Sequence, residues 1–323
     1  MTQRRHLLAA PFLLAGLPLR ARASGFPHRP IRLVVSSAPA ASLDTLARIV
    51  APVLSARLGQ PVLVENQGGA NGLIAMQQVA RAEPDGHTLL VTGDAIVLAE
   101  LTLPQAGFTL RDNFAPVVQA VRAAQIIATH PAAPFTDIHA YVAAIRARPG
   151  ALNVGIPSRG GIAQVVHEVL SQQLGGLKVE FVSYRGGGPA AVDLIARNTD
   201  ALVITLPAIT EQVRQGAIRP LAVSTAERDP ALPEVPTLAE TVAPGFDVES
   251  WQGILAPAAT PLPVIERLHE ATAAALREPA VAARLTGLGF AVAAAGPEEF
   301  RRRADAAAAR FAGVLRGTGR VGG

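Results

Sequence analysis

From residue 31 onward, short apolar runs alternate with amphipathic stretches, and this rhythm limits the folds open to the chain more than any other feature. Strands are expected at 31–36, 62–65, 88–92, 117–121, 125–129, 152–156, 179–182, 201–205 and 220–224. After the first of them, Leu43, Leu46, Ala47, Val50, Val53, Leu54 and Leu58 share one face at helical spacing. Pro52 inside that pattern predicts a kink. Asn71 is placed to cap a helix through Arg81, and Thr136 one through Arg148. From Pro263 the pattern is helical, apart from a short apolar break at 290–294. Strands alternating with helices imply mostly parallel sheets covered on both faces. Two such series meet around 119–128, and the chain returns near 248–256. The expected fold is therefore α/β with two lobes, 24–123 plus 250–323 and 124–249, joined by two crossing segments that act as a hinge.

The first 23 residues stand apart. Arg4-Arg5-His6 precedes the apolar run LLAAPFLLAGLPL, and Ala21-Arg22-Ala23 fits a small-x-small cleavage site before Ser24. The run is short for a membrane span. It reads as an export signal, and the paired arginines suit either an ordinary or a twin-arginine leader. Four of the 29 basic residues lie here, without Asp or Glu; the remaining 25 balance the 25 acidic residues. A mature chain with no basic excess does not fit nucleic-acid binding, which needs cations to neutralise phosphates. There is no Cys for a disulfide or a lipid anchor. No later stretch approaches 18 uninterrupted apolar residues, so the mature chain is expected to be soluble, and a monomer.

Catalytic signatures are absent or spoiled. The single lysine, Lys178, follows Leu177 and lies in no phosphate-binding loop. His167-Glu168 lacks the second histidine of the zinc-protease pattern. Ser158 in GIPSRG lacks the glycine two residues earlier that a nucleophile elbow requires. The histidines are scattered, and neither a metal nor a cofactor is implied.

What recurs instead is a kind of loop. Ser36–Asp44, Ile156–Gln164 and Tyr184–Gly188 each run from a strand into a helix through small residues or glycine. Such turns let a ligand approach the backbone, and the first helical turn offers unpaired N–H groups and the positive dipole end to an anion. Each hydrogen bond to a charged group contributes about 1.5–3 kcal/mol, and a helix end about 0.3–1. Several together reach the roughly 8 kcal/mol of micromolar binding. One such loop is common in any α/β protein; three in a chain without catalytic groups point to a small organic anion.

An ordered series of segments carries a more specific resemblance: PHRPIRLVV, LDTLAR, LGQPVLVEN, GGANGLIAMQQVARAEPDGHTLLV, FAPVVQ, YRGGGPAAVDLI, IRPLAVSTAERDPALPEVPTLAE and SWQGILAPAATP. Across its mature length the chain resembles the periplasmic solute receptors of tripartite tricarboxylate transporters, the Bug receptors. The resemblance implies a two-lobed periplasmic binding protein of the type II kind, periplasmic localisation and a carboxylated solute held largely by backbone N–H groups. It also implies delivery to permease subunits in the membrane. The chain departs from the family where Ser36-Ser37 replaces Pro-Phe, Ala40-Ala41 replaces Gly-Gly, Gln164 stands near a common His, and Ile204-Thr205 replaces Asp-Asn.

The residues expected at the ligand are Ser37, Ala40, Ala41, Ser42, Ser158, Arg159, Gly160, Gly161, Gln164, Tyr184, Gly186, Gly187 and Thr205. Ser42 reads either as a hydroxyl donor or as a plain helix N-cap, and Asp44 as a support of the helix start. Arg159 is either the partner of a distal carboxylate or a solvated arginine at the rim. Tyr184 either covers the ligand or packs under its loop. Asp94 either recognises an amino group or forms a turn, and Trp251 packs at the hinge. Two other readings remain at this point: a secreted enzyme using Ser158, His167 or Tyr184, and a sensor that feeds a signalling partner.

Overall fold

The computed structural model describes residues 25–103 and 106–317, so the leader read at 1–23 lies outside the described residues. The first half runs β1 (Ile31–Val35), α1 (Ser42–Leu58), β2 (Val62–Asn66), α2 (Leu73–Ala80), β3 (Thr88–Gly93), α3 (Ala95–Thr102), α4 (Leu110–Asn113) and β4 (Phe114–Thr129). It continues through α5 (Ile138–Ala147), β5 (Asn153–Ile156), α6 (Ile162–Gln173), β6 (Glu180–Ser183), α7 (Gly187–Ile195), β7 (Ala201–Thr205), α8 (Thr210–Arg214) and β8 (Arg219–Val223). The chain ends with β9 (Glu249–Pro257), α9 (Leu262–Leu276), α10 (Pro279–Gly287), β10 (Phe290–Ala295) and α11 (Pro297–Gly317).

The strands form two connected sheets. The first is ordered β2-β1-β3-β9-β4-β10, with β1 parallel to β2 and β3. In the second, β5 lies parallel between β6 and β7, while β7 and β8 both pair with β4. Every pairing that involves β4 or β9 is antiparallel, so each sheet is mixed, with its parallel part confined to one triad. The crossing strands produce this: they run through the molecule against the direction of the strands they join.

The expected strands at 117–121 and 125–129 are one strand, β4. Along it the neighbour changes from β9, last paired at Ala124↔Glu249, to β7, first paired at Gln125↔Thr205. Arg122, which interrupts the apolar pattern, pairs with Glu249 at 3.1 Å across the ladder. The return segment is held to β4 by a buried serine. Ser224 Oγ accepts the Gln125 N–H at 2.9 Å and donates to the Val248 carbonyl at 2.5 Å. The Val248 N–H in turn donates to the Ser224 carbonyl at 2.8 Å.

Local signals were partly misplaced. α1 runs unbroken through Pro52, whose ring lies on the exposed face, while Leu46, Ala47, Val50, Leu54 and Leu58 are buried. Asn71 caps nothing: it sits in a left-handed turn (φ 56°), and α2 starts two residues later, after Gly72. The cap of α5 is Asp137, not Thr136, its carboxylate accepting the Ala140 N–H at 2.8 Å. Aliphatic side chains build separate cores under each sheet. Val165 on α6 packs into a cluster with Met76, Ile96, Trp251 and Phe300, so the lobes touch beside the cleft. No described helix is long and apolar enough to cross a membrane.

Ser224→Ala should lower stability by about 1–3 kcal/mol, since it leaves the buried Gln125 N–H and Val248 carbonyl without partners. Urea denaturation checks this; an unchanged midpoint would mean that other contacts hold the crossing.

Candidate functional site

The loops that leave β1, β5, β6 and β7 face one another around a cavity of about 250 Å³. That is the liquid volume of about eight water molecules, room for a small solute. The first turns of α1, α3 and α7 reach it through Ser42, Leu43, Ala95 and Gly187. N–H groups in a first turn have no acceptor within the helix, and each helix end adds its positive dipole. No Asp or Glu lines the cavity among the described residues, and Arg185 is its one charged side chain. Arg185 makes no salt bridge among the described residues. Ala38, Ala41, Leu43, Ala70, Ala95, Ile204 and Ala208 give the walls an apolar character.

Of the residues expected at the ligand, Ser37, Ala41, Ser42, Ser158, Tyr184, Gly186, Gly187 and Thr205 line this cavity. Ala40, Arg159, Gly160, Gly161 and Gln164 lie outside its lining. Arg159 is exposed, and its carbonyl accepts Asn71 Nδ2 at 2.6 Å in a bridge between the lobes. Sequence reasoning passed over Arg185, although it stands in the quoted YRGGG loop. It also passed over the Gly69–Gly72 turn, a glycine-rich strand-to-helix turn like the others. The apolar wall residues carried no signal.

The first two loops are built alike. Ala40 and Gly160 both adopt positive φ, 62° and 73°. Each donates its N–H to a side chain four residues on: Ala40 to Asp44 Oδ2 at 2.9 Å, Gly160 to Gln164 Oε1 at 2.7 Å. The caps that follow, Ala41 and Gly161, are extended and nearly superposable in φ and ψ (−77°, 165° and −82°, 171°). Gln164 is thus buried beneath its loop and bound to Glu168 at 3.0 Å. Burial pushes the Asp44 carboxyl up, but hydrogen bonds from Arg48 and the Ala40 N–H outweigh it and hold the group below the usual carboxylate range. Asp44 therefore supports the helix start as expected. The N-cap reading of Ser42 is corrected: Ala41 is the cap, and Ser42 Oγ instead accepts Gln252 Nε2 at 2.8 Å.

Ser158, His167 and Tyr184 do not assemble. His167 lies in the core of the second lobe, Nε2 3.0 Å from the Tyr141 hydroxyl, and burial pulls it down to about 4. The Tyr184 hydroxyl donates to Asp193 at 2.8 Å, and burial with that bond pushes it up to about 12. Asp94 sits behind the cavity wall with Oδ2 accepting the Trp251 N–H of β9 at 3.1 Å. Burial pushes its carboxyl up to about 8. Trp251 packs edge-on against Phe300, ring centroids 5.0 Å apart.

Two substitutions follow. An alanine at positive φ is strained by roughly 1–3 kcal/mol, so Ala40→Gly should stabilise the fold by about 1 kcal/mol after glycine's entropic cost; a lowered urea midpoint would refute this. The folded chain holds a proton on Asp94 that the unfolded chain loses near pH 3.9, so this residue's contribution falls as pH rises from about 4 to about 8, at up to about 1.4 kcal/mol per pH unit. Asp94→Asn should flatten that decline and raise stability most at pH 8; parallel pH profiles of variant and parent would contradict it.

Comparison with known proteins places the chain. Residues 46–319 match the family model described as "Tripartite tricarboxylate transporter family receptor". Protein BugT of Bordetella pertussis (strain Tohama I) is 32% identical over 307 residues, covering 94% of each chain. Among solved structures, R. palustris Rpa4515 with adipate superposes with a TM-score of 0.88 at 29% identity, over 91% of this chain and 98% of that one. MatC from Rhodopseudomonas palustris with bound malate gives 0.84 at 29% identity, over 90% and 100%. The fold, the paired loops facing one cavity and these likenesses agree: the chain belongs to the tripartite tricarboxylate transporter receptor family, the Bug-type periplasmic solute receptors.

Proposed function

We propose that this receptor binds a small carboxylated solute in the cavity between its lobes and delivers it to membrane permease subunits of a tripartite transporter. The observation that carries the reading is a cavity wall with three helix N-termini, one arginine and no carboxylate among the described residues. An anion there meets helix-end amides and an arginine, and no carboxylate stands in the wall to repel it. The relatives solved with adipate and malate support the same chemistry. In this reading Arg185 takes the role first considered for Arg159 and pairs with a distal carboxylate. Ser37, Ser158 and the amides of the α1 and α7 turns hold the proximal one. Residues 24–123 with 250–323, and 124–249, move as rigid lobes about the β4–β9 crossing, and a solute that touches both favours closure. Residues 1–23 direct export to the periplasm, where the mature chain works as a soluble monomer.

Thermal-shift and calorimetric titration of the mature chain with mono-, di- and tricarboxylates and acidic amino acids tests this. At least one acid should bind with micromolar affinity or better; silence across the panel would overturn the reading. Arg185→Gln should weaken a dicarboxylate about tenfold more than a monocarboxylate. In Gly187→Val the new side chain meets Ile204, whose Cδ1 lies 2.8 Å from where even a Cβ would stand, and binding should be lost with the circular dichroism spectrum retained. Equal losses on both acid classes in the first variant would place the distal contact elsewhere.

A further inference from the structure

Two glutamines on the crossing strands make the same unusual arrangement, one on each side of the cavity. Gln252 of β9 donates its side-chain amide to Ser42 Oγ at 2.8 Å, and Gln125 of β4 donates its own to Thr205 Oγ1 at 2.8 Å. Both side chains are buried, Gln252 4% and Gln125 1% exposed. Both leave the carbonyl oxygen Oε1 without a protein donor. Burying an amide is unfavourable unless its hydrogen bonds are made. Here the one hydrogen bond each side chain makes among the described residues goes to a hydroxyl of the cavity wall. Gln119, on the same strand β4, differs: its Oε1 accepts from Arg303 of α11 at 3.2 Å.

The chemical consequence lies in the hydroxyl. A hydroxyl has one proton to donate and two lone pairs to accept with. When the amide occupies a lone pair, the proton turns away from it. Neither Ser42 Oγ nor Thr205 Oγ1 donates to any described residue, and both residues line the cavity.

We infer that Gln125 and Gln252 are positioning residues that fix the hydroxyls of Thr205 and Ser42 as donors toward the solute, one from each lobe, so that the site selects oxygen acceptors over ammonium groups. The inference rests on the carboxylate reading above for the identity of the acceptor, but the amide–hydroxyl lock itself does not. Because the two glutamines ride on the two strands that join the lobes, a solute that engages both hydroxyls engages both crossing strands.

The lock is tested first without solute. In ¹H–¹⁵N spectra the side-chain amide signals of Gln252 should shift in Ser42→Ala, and those of Gln125 in Thr205→Val. Unmoved signals would overturn the proposal. Next, adipate and malate serve as probes. Gln125→Met and Gln252→Met each remove the lock at similar volume and should weaken whichever probe the parent binds by about tenfold, the loss of one oriented hydrogen bond to a charged group. Gln→Glu at either position turns the hydroxyl proton back toward the protein and should weaken the acid further, while an ammonium-bearing analogue loses nothing. Lower thermal stability with unchanged affinity in the Met variants would mean a merely structural role and would also overturn the proposal. If the parent bound no carboxylate at all, the function proposed above would fail, and the spectra alone would decide the lock.

Discussion

The antiparallel ladder between β4 and β9 is the interaction on which the rest of the molecule depends. It pairs Phe114 through Ala124 with Pro257 back to Glu249 and so builds the middle of the first sheet. The same β4 then leaves that sheet and becomes part of the second, pairing with β7 and β8. Among the described residues no other strand belongs to both. Backbone hydrogen bonds therefore fix where the two parallel triads stand relative to each other, and the loops after β1 and after β5, β6 and β7 come to face one cavity. Ser224 closes the crossing by bonding both strands' backbones at one buried point.

Around the cavity, polarity is supplied mostly by the main chain. The two loops that repeat the same turn, one with Ala40 and one with Gly160, use a side chain four residues on to hold a backbone N–H. These bonds hold each loop against the first turn of its helix. Side chains add to this polarity: Arg185 at the cavity's edge, and the hydroxyls of Ser42 and Thr205 with glutamines behind them. Amides and hydroxyls among apolar walls are the polar groups that this cavity offers, and two proteins of similar structure are solved with acids as different as adipate and malate.

Much of this was legible from residue order. The strand–helix alternation placed every parallel strand to within a residue or two: β1, β3, β5 and β7 by apolar runs that are mostly buried, and the edge strands β2 and β6 by their place between helical stretches. The β1–α1 and YRGGG loops were recognised by their small residues and glycines, and both line the cavity. What was not legible had physical reasons. Arg122 broke the apolar run of β4 because its partner, Glu249, is 127 residues away. Arg159 and Arg185 sit in equivalent sequence settings and are both exposed, and only the packing of the lobes decides which one borders the cavity. Gln125 and Gln252 lie in strands whose sequences read as core or crossing, so their bonds to cavity hydroxyls are visible only once the sheets are assembled.

The placement of β9 also bears on the order in which the chain folds. The first sheet has a gap between β3 and β4 until β9 fills it, and β9 begins at Glu249, more than a hundred residues after β4 ends. The second sheet needs only the contiguous stretch from β4 to β8. In chain order, the strands of the later sheet are therefore all present before those of the earlier one, whose core also waits for β9, α9, α10 and β10.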